Sequence, residues 1–244
     1  MKKQISFTML AIVVLVFMLF QSCSNNPQTC NTTEAPEQIY TINFCRGILP
    51  YTGYDGVYDS YIVDGNKSNT NNGICDELIL GSYNFINRYR AVIKFEIGGF
   101  IPSTAEIKRA FISLSLKNSS NFNTIKIYAF QFGFVEGNLC DGYSETSVTW
   151  NNIAGLPGGY YSGLKQAGTF SISEYTNSGF FQVEIDKKII KSWIDNSTAN
   201  HGFLLIDEQE NELSDSINHY VKFHSSEHTS AIYRPMLTII YTLP

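Results

Sequence analysis

Positive charge is scarce in this chain: 17 Lys and Arg stand against 22 Asp and Glu across 244 residues, a formal net charge of -5. A protein that neutralises phosphates needs an excess of clustered Lys and Arg, so nucleic acid is excluded as a partner. Catalytic signatures are equally thin. His201, His219, His224 and His228 are the only histidines, no GxSxG or HExxH occurs, and Cys140 has no evident base beside it. The cysteine spacings match no compact zinc motif. Beyond the N-terminus no apolar run is long enough to span a bilayer, and there is neither an internal repeat nor a second linker.

At the N-terminus Lys2 and Lys3 precede an almost unbroken apolar run over residues 5–20, the charged and hydrophobic regions of a secretory signal. Phe20, Gln21, Ser22 and Cys23 follow, a small residue before a lone cysteine, and then the polar stretch 24–36. This resembles a bacterial lipoprotein signal spanning residues 1–22, which implies cleavage before Cys23 and lipid on its sulfur. An uncleaved anchor or an ordinary signal peptide is the alternative. Residues 23–39 then read as a flexible tether and 40–244 as one domain. The implied location is the cell envelope, lipid-anchored, at the outer membrane or cell surface.

With Cys23 set aside, Cys30, Cys45, Cys75 and Cys140 are an even number in a compartment that permits disulfides. Two bridges in one of three connectivities are expected, with free buried thiols as the alternative.

From about Tyr40 onward, short segments of period-2 alternation are separated by Asn, Gly, Ser and Pro clusters. In 88–95, Tyr89, Ala91, Ile93 and Phe95 share one face and Arg88, Arg90, Val92 and Lys94 the other. In 111–117, Ile112, Leu114 and Leu116 oppose Ser113, Ser115 and Lys117. Residues 125–134 are apolar on both faces, which predicts a central strand. Strands are also predicted at 181–185, 202–207, 219–225 and 236–241, with one short helix over 187–195 carrying Ile189, Ile190 and Trp193 inward. Many short strands, one helix and no βαβ alternation predict an all-β, antiparallel, jelly-roll-like β-sandwich.

Several pieces occur together and in order. They are the strand 87–95, then Ala105 to Leu114, then Ser147, Val148, Thr149, Trp150, Asn151 and Asn152, then Gly202, Phe203, Leu204 and Leu205, and finally Arg234 to Tyr241. This set resembles the DNRLRE domain, the disaggregatase-related β-sandwich that includes carbohydrate-binding modules of alginate-degrading enzymes, over about residues 54–241. The resemblance implies a polysaccharide partner, with other glycan-utilisation proteins of the envelope nearby. One departure is visible. Where such domains often carry Ser, Arg, Glu at a strand end, this chain has Ser225, Ser226 and Glu227.

Arg88, Arg90 and Lys94 on one strand, and Tyr220, Lys222 and His224 on another, alternate onto polar faces. If those strands are neighbours, they make a cationic, partly aromatic surface suited to uronate carboxylates. A solvated sheet face is the plain alternative. Trp150 and Trp193 read as core, whereas some of Tyr51, Tyr54, Tyr58, Tyr61, Tyr160 and Tyr161 are expected at the surface. Asp55, Asp59, Asp64, Asn66, Asn69 and Asn71 crowd one loop region. An Asx-rich turn accounts for them, and a structural Ca²⁺ on Asp55, Asp59 and Asp64 is the weaker reading. No other cofactor is expected. A lyase using Tyr220 or His224 with Arg88 is conceivable chemistry without a motif behind it. A structural or adhesive module is a third reading.

Overall fold

A computed structural model describes residues 37–83, 87–121, 123–153, 157–160, 162–173, 178–210 and 219–244. The signal, Cys23, Cys30, Tyr161 and nearly all of the tether lie outside the described residues. The elements in chain order are β1 (Ile39–Phe44), β2 (Val57–Val63), β3 (Thr70–Asn71), β4 (Glu77–Tyr83), β5 (Asn87–Phe95), β6 (Glu106–Ser119) and β7 (Asn123–Ala129). There follow β8 (Gly142–Tyr143), β9 (Lys165–Ile172), β10 (Gly179–Glu184), α1 (Lys187–Asp195), β11 (Phe203–Asp207), β12 (His219–His224) and β13 (Met236–Thr242).

Every pairing is antiparallel. The main sheet runs β1-β13-β6-β12-β4-β5-β11-β7-β9, with β10 added to β6 and β2 added to β5, and β3 pairs β8 separately. The sheet curls on itself, because Phe170 of β9 meets Phe181 of β10 with ring centroids 5.8 Å apart. The protein is thus all-β and sandwich-like with one short helix, as the alternation predicts. Between the curled layers lies a core that includes Phe44, Phe95, Ile112, Leu114, Phe203 and Phe223. Each such side chain contributes about 1.5–3 kcal/mol by leaving water. The helix closes one end of this core. The Asp186 carboxylate accepts from the Lys188 amide at 2.9 Å and caps α1, while Trp193 sets its ring 4.8 Å from that of Phe203.

Two expectations change here. The strand predicted over 125–134 ends at Ala129. Phe130 instead donates its amide to Gly202, and the chain leaves the sheet on a long excursion to β9. That excursion folds back over the outer face of β5 and β11 and builds a second core from Ile62, Val92, Phe130, Val148, Trp150, Ile153, Leu164, Leu204 and Ile206. Every residue of β11 is therefore buried, Phe203 and Leu205 inward and Leu204 and Ile206 outward. The face of β5 expected to be polar and exposed is covered too: Arg90 is only 7% exposed.

The excursion is fastened at its far side by a disulfide between Cys75 and Cys140, whose Cα atoms lie 5.0 Å apart across a sequence separation of 65. Cys45 is a buried free thiol and Cys30 lies outside the described residues, so one bridge is seen among the described residues. Because the closed loop is long, its loss frees much chain entropy in the unfolded state, worth about 2–4 kcal/mol. Thermal unfolding of a C75A/C140A variant is expected to show that loss as a clearly lower Tm, and an unchanged Tm would show that the bridge constrains nothing.

Candidate functional site

Neighbouring strands were the condition for one cationic face, and that condition is not met: β4 lies between β5 and β12. The charges on β5 are also individually engaged. Arg88 donates its amide and its Nε to the Asp64 carboxylate, both at 2.6 Å. Arg90 is gripped by Glu210, with Nη2 to Oε1 at 2.5 Å and Nε to Oε2 at 2.9 Å, and Lys94 pairs with Glu96 at 2.6 Å. Both arginines lie over the Trp150 ring, at 5.2 and 4.7 Å from its centroid. Trp150 is buried as expected. Tyr51 and Tyr160 are exposed, whereas Tyr54 is buried.

The other strand leads to open ground. Alternation on β12 sends Val221 and Phe223 into the core and turns Lys222 and His224 outward. On β10 the same rule splits a Phe pair: Phe181 packs inward against Phe223, and Phe180 points out, 65% exposed. Phe180 stands opposite Ser115 of β6 in the pairing register. Tyr233 arrives from the turn before β13, and its ring lies nearly parallel to that of Phe180, at 11° and 6.1 Å. His224 sits 5.2 Å from Tyr233 and 4.4 Å from His228, ring to ring. Phe180, Tyr233, His224, Lys117, Ser115 and Ser178 line a groove of about 420 Å³, and none of its described wall residues carries a carboxylate.

Charge beside the groove is cationic but tethered. Lys117 and Lys222 share the Glu77 carboxylate, at 3.0 and 3.2 Å. Burial works to raise the Glu77 carboxyl, yet the Lys117 hydrogen bond and the Lys222 charge outweigh it and hold it below the usual range. His224 is held below the ordinary imidazole value by burial and then by the His228 and Lys117 charges. At neutral pH the groove therefore presents ring faces, a neutral imidazole and the ammonium of Lys117. Phe180, Tyr233 and Lys117 escaped the sequence reading. A Phe-Phe pair does not say which ring faces out, and Tyr233 lies in a turn without periodicity.

Behind the groove the turn 225–228 rests on buried acids. The Ser226 amide donates to Asp59 Oδ2 at 2.8 Å, and the Asp59 amide donates to Glu136 Oε1 at 2.7 Å. Arg46 sits among them, at 2.9 Å from Asp55 and 3.7 Å from Glu136, paired with Glu227, its Nη1 3.3 Å from the Ser226 hydroxyl. A guanidinium thus stands beside position 226 although the residue there is serine. Arg234 ties the turn down, donating to the His228 carbonyl at 2.7 Å and the Arg46 carbonyl at 2.8 Å.

The same contacts disperse the oxygen-rich loop. Asp55 goes to Arg46, Asp64 to Arg88 and Asp59 inward to Ser226, so the three acids do not converge. The Asn71 side-chain amide donates to the Glu136 and Val148 carbonyls, and that of Asn151 to the Asn69 side-chain oxygen. Among the described residues no group of three or more His, Cys, Asp or Glu is placed to hold a metal ion.

Comparison with known families finds a match to carbohydrate-binding module family 96 over residues 50–241. No curated protein matches the chain.

Burial pushes the Asp59 carboxyl up to about 7 and that of Glu136 up to about 8, the amides of Ser226 and Asp59 and the nearby Arg46 only partly offsetting it. The folded protein therefore keeps protons that the unfolded chain releases in the ordinary carboxyl range. This stabilisation is complete below that range and is lost as pH rises through about 7 to 8. His201 and His224, both depressed by burial, act in the opposite sense below the ordinary imidazole value, so the informative window starts above it. Between about pH 6.5 and 9 the Tm is expected to fall by roughly 5 °C. A D59N/E136Q variant should flatten that slope, and an equal fall in the variant would mean that other groups carry it.

Proposed function

We propose, from the premise that the chain belongs to carbohydrate-binding module family 96, that it holds an acidic, uronate-containing polysaccharide in the groove between Phe180 and Tyr233 without transforming it. The observation that carries this reading is a lining whose described residues combine exposed ring faces with Lys117 and His224 and include no carboxylate. Flat apolar ring faces suit the C–H faces of pyranose rings. An ammonium serves as a point charge for a carboxylate that such a lining does not repel. Lys222 steadies Glu77 beside Lys117 and so belongs to the support of the groove rather than to its wall. Non-catalytic binding agrees with a family of binding modules. The lyase alternative would need Arg88 to work with Tyr220 or His224, yet Arg88 is engaged by Asp64 on a strand that β4 separates from theirs.

The cellular setting in this proposal comes from the N-terminal pattern. A lipid on Cys23 and a polar tether would hold the module at the envelope, near other proteins that handle the same glycan. Mass spectrometry of the mature N-terminus should then show diacylglyceryl and acyl additions on Cys23, and an unmodified cysteine would remove the anchor.

Affinity electrophoresis in gels containing alginate or pectin is expected to retard the protein. Phe180→Ala and Tyr233→Ala should each weaken the interaction by about ten-fold, the equivalent of roughly 1.4 kcal/mol. No new reducing ends should appear during incubation with either polymer. Absence of retardation in both gels, or full retardation of the Phe180→Ala protein, would sink this assignment.

A further inference from the structure

Arg90 of β5 belongs to a second place on the molecule, on the outer face of β7 and β11. There Lys126 and Tyr128 of β7 stand opposite Ile206 and Leu204 of β11 and share their outward face. Tyr160, 43% exposed, comes down from the excursion and meets Tyr128 edge to face at 5.4 Å. Between them and the sheet lies a cavity of about 210 Å³, lined by Tyr128, Tyr160, Arg90, Lys126, Glu208 and Glu210.

The floor of this cavity is built rather than incidental. The Arg90 guanidinium lies 4.7 Å from the Trp150 ring centroid and 5.8 Å from that of Tyr160. Its Nη1 donates to the Gly158 carbonyl at 2.7 Å, and its Nε and Nη2 grip Glu210. Gly158 has φ +75°, and a Cβ there would stand 2.5 Å from Nη1 and 2.8 Å from the Trp150 ring. Only glycine lets the 157–160 turn approach so closely, and that approach brings Tyr160 to the rim. On the rim Lys126 pairs with Glu208.

The charge of the lining differs from that of the first groove. Among the described residues each cation of this lining is matched by a carboxylate, Arg90 by Glu210 and Lys126 by Glu208, so a uronate meets no surplus of positive charge here, unlike at the two lysines that share Glu77. Sugar hydroxyls instead donate well to carboxylates, and the two Tyr rings give an apolar wall of about one pyranose in extent. We propose that this cavity is a second glycan subsite, separate from the Phe180 groove, and that it takes a neutral sugar residue. The chain then holds two chemically different polysaccharides, or two different stretches of a mixed one.

The test uses the full chain in affinity gels containing laminarin, galactomannan or xyloglucan, with alginate in parallel. Retardation is expected in at least one neutral gel. Tyr160→Ala should weaken it at least ten-fold and leave alginate retardation unchanged, while Phe180→Ala should do the reverse. Glu208→Gln, a change at an exposed carboxylate that leaves the fold intact, should weaken neutral binding several-fold and serves as the second variant, with the Tm of each protein measured alongside. No retardation in any neutral gel, or a Tyr160→Ala protein that binds as before, overturns the subsite. An equal loss on both polymers overturns its separateness. Failure of alginate binding with neutral binding intact would remove the uronate assignment and leave this one standing.

Discussion

The buried Arg90–Glu210 pair is the contact on which the arrangement of surfaces depends. Its two partners stand 120 residues apart in sequence, and both are almost fully buried. A guanidinium taken from water is tolerable only when its donors are satisfied, and here Glu210, the Gly158 carbonyl and the Trp150 face do that together. Removing one partner of such a pair leaves a bare buried charge, at a cost of about 3–5 kcal/mol. The pair also clamps the β7–β9 excursion onto the sheet, since Gly158 and Trp150 both belong to it. What would have been a solvated strand face becomes a second core, and the basic and aromatic Phe180 groove lies elsewhere, around β6, β10 and β12.

The two concavities inherit their chemistry from that division. Around β12 the outward residues are Tyr220, Lys222 and His224, the nearby acid, Glu77, is occupied by two lysines, and the described groove wall carries no carboxylate. Around β11 the chain places Glu208 and Glu210 just where the strand ends, and each meets a cation, Lys126 and Arg90. Local sequence thus sets the charge balance of each lining, while the excursion decides that the two remain apart. Net charge of the whole molecule, mildly negative, describes neither.

Much of the fold could be read from alternation alone, because the physics is local. Ile112, Leu114 and Leu116 point inward and α1 buries Ile189, Ile190 and Trp193, as their spacing predicts. The cover on β5 could not be read. Arg88, Arg90, Val92 and Lys94 show the pattern of a wet face, and nothing near them announces that Trp150 will lie across it. The same holds for the site. His224 was visible as an outward residue, yet Phe180 was not, since choosing it over Phe181 requires the register of β10 on β6. Cysteine count permitted three pairings, and only the approach of β8's loop to the start of β4 selects Cys75 with Cys140.

The serine at position 226 shows how a local departure is absorbed. The resemblance led to the expectation of an arginine between Ser225 and Glu227. Arg46 brings its guanidinium to that place from the β1–β2 connection, meeting Glu227, Asp55 and the Ser226 hydroxyl. What the turn needs is a cation between Glu227 and the buried Asp59–Glu136 pair, whichever part of the chain supplies it. Supplying it from position 46 also joins the β1–β2 connection to the turn that carries His228 and leads to Tyr233, a link reinforced by Arg234 on the Arg46 carbonyl. The wall of the groove is therefore braced by residues far from it in sequence.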